Sequence, residues 1–257
     1  MNSNIKSNVR KLTASDKVFF SKLQDANIPV IDLIQKYEQN KTEQVFFRSK
    51  DYCFAVTTLH CSRKNNLAVI GDSGVGKTAF VHYLAKYIPL ILPSFALAEI
   101  NIASLISGCA YRGEFEKKLT AVIELAISYN AIIYFDEAHA LSMTGGSNTG
   151  GIDALNILKP HLTNDFRCVI CTTSKESVAL RKDVAFSRRF RFLELKPLSD
   201  DFKRKIVISK FGDTDIIRTY LNSNTIEKKE LFEMIDDIDF LMSAEKIKEV
   251  DGEIYIK

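Results

Sequence analysis

The sequence predicts an α/β fold in which a doubly wound, mostly parallel sheet of five strands precedes a small helical region. From residue 66 onward, short apolar runs alternate with helical patterns, which is typical of repeated βα units. The glycine spacing of a phosphate-binding loop follows the first of these runs, and such a loop joins a strand to a helix. The two observations together predict a phosphate site at the carboxyl edge of the sheet.

Length and charge limit the classes of protein to which the chain can belong. Its 257 residues fit one large domain or two small ones at roughly 150 residues per domain. The net charge of +3 is too small to indicate a surface for nucleic acid or for an anionic membrane. The first residues lack the apolar segment of a secretory signal, so we expect a cytoplasmic protein. Residues 87–106 are the only stretch that resembles a membrane span, and prolines and polar residues interrupt it, so we expect none.

Strands and helices are predicted to alternate through the middle of the chain. The expected strands are residues 67–70, 97–101, 131–135, 168–172 and 191–195. The third is apolar on both faces, so we expect it in the middle of the sheet. One helix is expected at residues 78–88, and helical spacing of apolar residues indicates another, with a buried stripe of Phe115, Leu119, Val122 and Ala126.

The pattern divides the chain into three parts. Residues 1–44 are a polar N-terminal extension that is partly helical, with one predicted helix at residues 31–37. Residues 45–195 carry the strand and helix alternation and form the predicted nucleotide-binding domain. Residues 196–257 are expected to form a small helical lid that is atypical in sequence.

Two helices are predicted in the last part. Ser199 is expected to cap a helix that ends at Lys210, and the buried side of that helix is expected to contain Phe202, Ile206 and Ile208. A second helix is expected at residues 228–238, with an apolar side made by Leu231, Met234 and Ile235.

The five cysteines give no sign of a disulfide framework or of a metal site. They are odd in number, as is common in a reducing compartment. Cys168 and Cys171 form a CxxC pair, but they lie in a predicted strand, where residues three apart point to opposite faces. We therefore expect neither metal binding nor redox chemistry from this pair.

The strongest motif of the sequence is a phosphate-binding loop. Its consecutive residues are Gly71, Asp72, Ser73, Gly74, Val75, Gly76, Lys77 and Thr78, which satisfy the pattern GxxxxGK[ST]. Glycines allow backbone N–H groups to surround phosphate oxygens at the start of a helix. We expect Lys77 to reach the β and γ phosphates of ATP and Thr78 to bind Mg²⁺. The loop therefore predicts a P-loop NTPase.

Two acidic residues follow the buried strand at residues 131–135. We expect Asp136 to hold the Mg²⁺ shell and Glu137 to polarise the attacking water. Together with His139 they also spell the DEAH box of helicases. Helicases resemble two fused motor domains, and the sequence after His139 contains no second set of motifs, so the helicase interpretation is disfavoured.

Several ordered segments resemble the first ATPase module of the Clp unfoldases and disaggregases, ClpA and ClpB, which are AAA+ ATPases. These segments are residues 106–117, which contain Tyr-Arg-Gly-Glu-Phe, the strand that is followed by Asp136 and Glu137, and residues 151–160 and 182–190. The likeness covers about residues 45–195. It implies a ring-forming ATPase, six-membered in this family, that acts on protein substrates.

The resemblance also assigns roles to individual residues. It implies that Tyr111 is a pore-loop aromatic that grips a translocating polypeptide, with plain packing as the alternative for this ring. Thr172 or Thr173 matches the sensor that contacts the γ phosphate or water. Arg188 and Arg189 match arginine fingers that reach the nucleotide of a neighbouring subunit, and a solvated basic cluster is the alternative.

Other positions show both agreement with the family and departure from it. Val45 and Phe46 match the segment that contacts adenine, and residues 143–151 match a second pore loop. Phe47 stands where the family has glycine, and Ala110 stands where the pore loop usually has a basic residue. The predicted lid lacks the family's recognisable motif.

These features predict an ATP-hydrolysing AAA+ ring that uses ATP and Mg²⁺ to remodel or thread a protein substrate through a central pore. Two alternatives stay open: a nucleic-acid-handling AAA+ loader, and an ATP-gated assembly subunit of a larger machine with weak hydrolysis. The segment around Tyr111 favours a polypeptide substrate over nucleic acid, whereas the atypical lid is compatible with the assembly subunit.

Overall fold

The structure is a computed structural model, and the contacts within it divide the chain into two units. It describes residues 13–39, 48–107, 109, 112–136, 154–162, 165–223, 229–245, 247–250 and 253–256. The first unit contains Met1–Gly71 and Lys77–Leu195, and the second contains Asp72–Gly76 and Lys196–Lys257.

A sheet of six strands forms the centre of the first unit. The strands are β1 (Val30–Asp32), β2 (Asn66–Ile70), β3 (Ala96–Ile100), β4 (Ala131–Phe135), β5 (Arg167–Thr172) and β6 (Phe190–Glu194). Their order is β1-β3-β4-β5-β2-β6, and every pairing is parallel except that of β1 with β3. This arrangement confirms the predicted α/β class and places β4 in the middle of the sheet, between β3 and β5.

Ten helices are found among the described residues of this unit. They are α1 (Ala14–Asp25), α2 (Leu33–Gln39), α3 (Ser49–His60), α4 (Lys77–Leu84), α5 (Ile88–Ile91), α6 (Ile102–Ser107), α7 (Arg112–Ser128), α8 (Ala154–His161), α9 (Ser174–Lys182) and α10 (Val184–Arg189). The four predicted stripe residues of α7 are all buried. The single helix expected at residues 78–88 is instead the two helices α4 and α5.

The sixth strand corrects the prediction of a five-stranded sheet. Residues 31–37 were expected to form one helix, but the segment begins as β1 and continues as α2. Asp32 marks the change, because its Oδ1 accepts hydrogen bonds from the backbone N–H groups of Ile34 and Gln35. An aspartate that bonds the N–H groups two and three residues ahead starts a helix in the same way as an N-cap.

The strand that leads to the phosphate loop lies inside the sheet, with β5 and β6 as its neighbours. All five residues of β2 are buried, as are all five of β4. Burial of both faces is expected for parallel strands that are covered by helices on each side. The carboxyl ends of β2, β4 and β5 therefore lie at one edge of a fixed sheet, which positions the residues that follow them.

The tail is the part of the second unit at Lys196–Lys257, and its described residues form three helices and a hairpin. These are α11 (Asp200–Phe211), α12 (Asp215–Leu221), α13 (Leu231–Glu245), and the antiparallel strands β7 (Ile247–Val250) and β8 (Glu253–Ile256). A core of its own holds the tail together, made by Val207, Ile217, Tyr220, Leu221, Met234 and Ile238. The hairpin and α12 were not predicted from the sequence.

The buried side of α11 differs from the predicted one. Val207 and Lys203 are buried, whereas Ile208 is exposed and Phe202 and Ile206 are only partly covered. Lys203 tolerates burial because its Nζ donates to the carbonyl oxygen of Lys229 at 2.8 Å and lies 3.4 Å from a carboxylate oxygen of Asp200. The apolar stem of Lys203 is therefore buried on this side of α11, whereas Ile208, which was expected there, is exposed.

Candidate nucleotide-binding site

The phosphate loop joins the end of β2 to the start of α4, as the motif requires. Gly74 and Gly76 have φ angles of +82° and +89°, in the left-handed region that favours glycine. The N–H of Gly71 donates to the carbonyl oxygen of Thr172 at 3.2 Å, which ties the first residue of the loop to the end of β5. The loop thus starts from a fixed point on the sheet and ends at a helix N-terminus, where anions are favoured.

Two side chains at the start of α4 are placed for phosphate and cation chemistry. The Nζ of Lys77 donates to the carbonyl oxygen of Gly71 at 2.8 Å, so the ammonium group lies across the loop. The Oγ1 of Thr78 donates to Oδ2 of Asp136 at 2.8 Å, although these residues are 58 positions apart. The structure therefore brings the two predicted Mg²⁺ ligands into contact.

The donor set fits a magnesium ion. A hydroxyl and a carboxylate are hard oxygen ligands, and Mg²⁺ is usually held by one or two such protein groups together with phosphates and waters. Asp136 follows the last residue of β4, and Thr78 lies in the first turn of α4. Their positions are therefore fixed by a central strand and by a helix.

A buried polar side chain, Tyr134, lies two residues before Asp136 and was missed by the sequence reasoning. The hydroxyl of Tyr134 donates to Sγ of Cys171 at 3.6 Å, and burial raises the pKa of both side chains, that of Cys171 to about 12. The rings of His82 and Tyr134 pack nearly at right angles, and Nε2 of His82 is 3.0 Å from Oε2 of Glu99. The sequence did contain a signal for this side chain. Tyr134 precedes Asp136 by two residues, and side chains two positions apart in extended backbone point to the same side.

Burial also explains the chemistry of the CxxC pair. Cys168 belongs to the core cluster that contains Ile133 and Phe135, whereas Cys171 faces Tyr134. Desolvation raises the pKa of both thiols, which disfavours the reactive thiolate form. In the part of the chain that the structure describes, His, Cys, Asp and Glu side chains form no metal-binding group of three or more.

The two sensor candidates occupy different positions. Thr172 is the last residue of β5 and is 2% exposed, and its Oγ1 donates to Oε2 of Glu176 at 3.0 Å. Thr173 is the N-cap of α9, with its hydroxyl accepting from the backbone N–H of Glu176 at 3.3 Å. The carbonyl of Thr172 also binds Gly71, so Thr172 lies directly beside the loop.

The predicted arginine fingers lie at the other edge of the sheet. Arg188 and Arg189 are exposed at the end of α10, and the carbonyl oxygen of Arg189 accepts from Nδ2 of Asn66 at 3.5 Å. Asn66 begins β2, and the phosphate loop follows Ile70 at its other end. A strand rises about 3.3 Å per residue, so Asn66 and Ile70 at the two ends of β2 are about 13 Å apart. The arginines therefore lie at the end of β2 that is distant from the phosphate loop of their own chain.

Four of the predicted site residues fall outside the described part of the chain. They are Val45, Phe46, Tyr111 and Glu137. The segment matched to a second pore loop, residues 143–151, lies outside it as well. Across the described residues, no helix has the length and apolar character needed to span a bilayer.

The chain is similar to a known family of ATPases and to proteins of the Clp type. The model of the ATPase family associated with various cellular activities (AAA) matches residues 67–198, just over half of the chain. The chain is 38% identical over 169 residues to chaperone protein ClpB of Wolinella succinogenes, covering 63% of this chain and 20% of the relative. It is 35% identical over 190 residues to the negative regulator of genetic competence ClpC/MecB of Bacillus subtilis, covering 69% and 23%.

A solved structure supports the same comparison. The chain superimposes on the S. cerevisiae Hsp104:casein complex in its extended conformation with a TM-score of 0.72 and 25% identity, covering 88% of this chain and 41% of that one. The chain spans about a fifth of the length of the curated relatives named above. The matched residues 67–198 include the whole phosphate loop and Asp136.

Proposed function

Because the chain belongs to the AAA family of ATPases, in which its predicted likeness to Clp proteins is confirmed, we propose that it binds MgATP and hydrolyses it to ADP and phosphate. The observation that carries this proposal is the contact of Thr78 with Asp136 beside a glycine loop of left-handed conformation. In P-loop NTPases the Mg²⁺ ion is held by such a pair, a threonine at the start of a helix and an aspartate that follows a strand.

Each residue of the site has a separate task in the proposed mechanism. Lys77 exchanges its bond to the Gly71 carbonyl for the β and γ phosphates of ATP, and Thr78 and Asp136 hold Mg²⁺. Mg²⁺ held by these two residues would neutralise charge at the transferred phosphoryl group. Glu137 accepts a proton from the attacking water and orients it, and Thr172 contacts the γ phosphate from the end of β5.

The arginines are proposed to act on a neighbouring subunit. Arg188 and Arg189 are exposed and lie at the edge of the sheet opposite to their own phosphate loop. A guanidinium group stabilises the transition-state charge of phosphoryl transfer and stays protonated while doing so. We therefore place these side chains at the nucleotide of the next chain in a ring, which we take to have six members.

The proposed substrate of the ring is a polypeptide. The relatives in the comparison include a ClpB chaperone, and the similar structure contains Hsp104 with casein. Tyr111 is proposed to contact the polypeptide in the axial channel, and Val45 and Phe46 are proposed to contact the adenine base. A cytoplasmic location also stays a prediction.

The experiment measures ATPase activity with and without an unfolded protein. We expect casein to stimulate turnover of the unaltered protein, Tyr111→Ala to abolish the stimulation without changing basal turnover, and Glu137→Gln to stop turnover while ATP still binds. Stimulation by single-stranded DNA in place of casein would favour the nucleic-acid loader. Slow turnover that neither ligand stimulates would favour the assembly subunit.

A further inference from the structure

The tip of the phosphate loop is in contact with an aromatic ring of the tail, within the second unit. A Cβ atom added to Gly74 would lie 2.5 Å from Cε1 and 2.9 Å from Cδ1 of Phe232, and 3.7 Å from Cγ of Glu230. The first two distances are far below van der Waals separation. The ring of Phe232 therefore rests against the backbone of Gly74, and a Cβ atom at this position would displace the ring.

The tail holds this ring in place through its own core. Phe232 is the second residue of α13, and Met234 and Ile238 of the same helix are 2% and 0% exposed in the tail core. A helix that is anchored by two buried side chains one turn apart has a fixed rotation about its axis. The ring of Phe232 is itself 48% exposed, so burial in the tail core does not account for its position.

The loop has a particular need for such support. Gly74 is held at a φ of +82°, and glycine loses more conformational freedom on ordering than any other residue. A loop that must present its N–H groups to phosphate binds more tightly if its conformation is fixed beforehand, because less entropy is then lost on binding. A rigid aromatic ring against the middle of the loop restricts the loop in this way.

We propose that Phe232 is a positioning residue of the nucleotide site, which supports Gly74 in its phosphate-binding conformation and makes nucleotide affinity depend on the tail. This proposal rests on the proposed function, since it concerns the affinity of the same loop for nucleotide. It assigns the atypical tail a task that its sequence does not reveal. The contact joins residues 158 positions apart, which no local pattern predicts.

The test compares three variants of the full chain by their affinity for a fluorescent ADP analogue. We expect Phe232→Ala to weaken binding at least threefold, and Phe232→Leu, which keeps an apolar side chain against the loop, to recover most of that loss. The control is Phe240→Ala, because Phe240 lies two turns further along α13 and is 73% exposed. Its affinity should equal that of the unaltered protein, and all three melting temperatures should stay close to the original value.

A double-mutant cycle with Gly74 isolates the contact itself. Gly74→Ala places a methyl group against the ring and strains the backbone, so binding should weaken at least tenfold. In the Phe232→Ala background the ring is absent, so Gly74→Ala should weaken binding by a clearly smaller factor. Equal factors in the two backgrounds would show that the residues act independently and would overturn the proposal.

The remaining outcomes are also decisive. Unchanged or tighter ADP binding by Phe232→Ala would overturn the inference while leaving the proposed ATPase function intact. A loss in Phe240→Ala equal to that in Phe232→Ala would also overturn it, because any change in α13 would then suffice. An unaltered protein that binds no nucleotide would refute the proposed function itself, and the inference would fail with it.

Discussion

Asn66 shows how one side chain can fix the positions of three segments. It is buried at the start of β2, where its Oδ1 accepts from the N–H of Cys168 at 2.8 Å and its Nδ2 donates to the carbonyl of Arg189 at 3.5 Å. The amide therefore joins β2, β5 and the end of α10. In the sequence, Asn66 looks like the polar end of a loop, because its two backbone partners, Cys168 and Arg189, are more than 100 residues away.

We predict that Asn66→Ala lowers the free energy of unfolding by about 2 kcal/mol, because it removes the partner of the buried N–H of Cys168 and of the partly buried carbonyl of Arg189. Urea denaturation monitored by circular dichroism measures the change. Gln24→Ala, which removes an exposed amide from α1, is the matched control and should change stability by less than about 0.5 kcal/mol. Equal stability of Asn66→Ala and the unaltered protein would contradict this account of the amide.

A substitution of Lys77 tests the contact that we assign between its ammonium group and ATP. We predict that Lys77→Ala abolishes detectable ATP binding, because Lys77 supplies the cation that we assign to the β and γ phosphates. Isothermal titration calorimetry tests this, with Lys117→Ala on the exposed side of α7 as the control for loss of a lysine. Unchanged affinity in Lys77→Ala would show that the ammonium group does not contact the nucleotide.

Among the elements, the central strands were predictable and the edge strand was not. Residues of β4 are apolar on both faces, a pattern that is typical of a strand inside a parallel sheet, and the structure confirms its central place. Strand β1 has three residues, and its partner is β3, about 70 positions later. Pairing with a strand so far along the chain leaves no local signal, so residues 31–37 were predicted as a single helix.

The phosphate site was likewise predictable only in part. The contact of Thr78 with Asp136 follows from two motifs that each stand at the end of a strand or the start of a helix. The ring of Phe232 against Gly74 follows from no motif, because it depends on the packing of α13 in the tail. The spacing of residues within a motif is enough to predict the chemistry of the segment that contains it. A contact made by a helix far along the chain can be predicted only once the fold is known.

Helix α10 depends on Asp183, which leads to a prediction at the scale of an element. The carboxylate accepts from the backbone N–H groups of Ala185 and Phe186 and lies 2.7 Å from Nζ of Lys159. We predict that Asp183→Ala lowers the free energy of unfolding by about 1 kcal/mol and reduces ATP turnover, because α10 carries the proposed arginine fingers. Asp183→Asn keeps a capping oxygen and should lose less stability.

The same residue predicts a pH dependence of stability. The hydrogen bond from Lys159 holds the pKa of the Asp183 carboxyl below its usual range. A pKa lowered by folding stabilises the protein fully above the ordinary carboxyl value, and this contribution is lost as the pH falls through the folded value. The stability difference between the unaltered protein and Asp183→Asn should therefore shrink below about pH 4. A difference that grows on acidification would contradict the assignment.

At the scale of the whole molecule, the positions of the arginines predict cooperation between chains. If Arg188 and Arg189 serve a neighbouring chain, ATPase activity per chain should rise with protein concentration, as the ring assembles. Arg188→Ala and Arg189→Ala should lower turnover at least tenfold with little loss of nucleotide affinity. Sedimentation velocity and ATPase titration provide the measurements. Full activity in a chain that stays monomeric at every concentration would refute the trans arrangement.

The place of β2 between β5 and β6 also affects how the protein is made. Residues 66–70 leave the ribosome about 100 residues before β5 and more than 120 before β6. During synthesis, the strand that carries the phosphate loop therefore has no sheet neighbour until most of the chain has emerged, and contacts of such long range form slowly. We expect a nascent chain to acquire its ability to bind nucleotide late and abruptly, when β5 and β6 close on either side of β2.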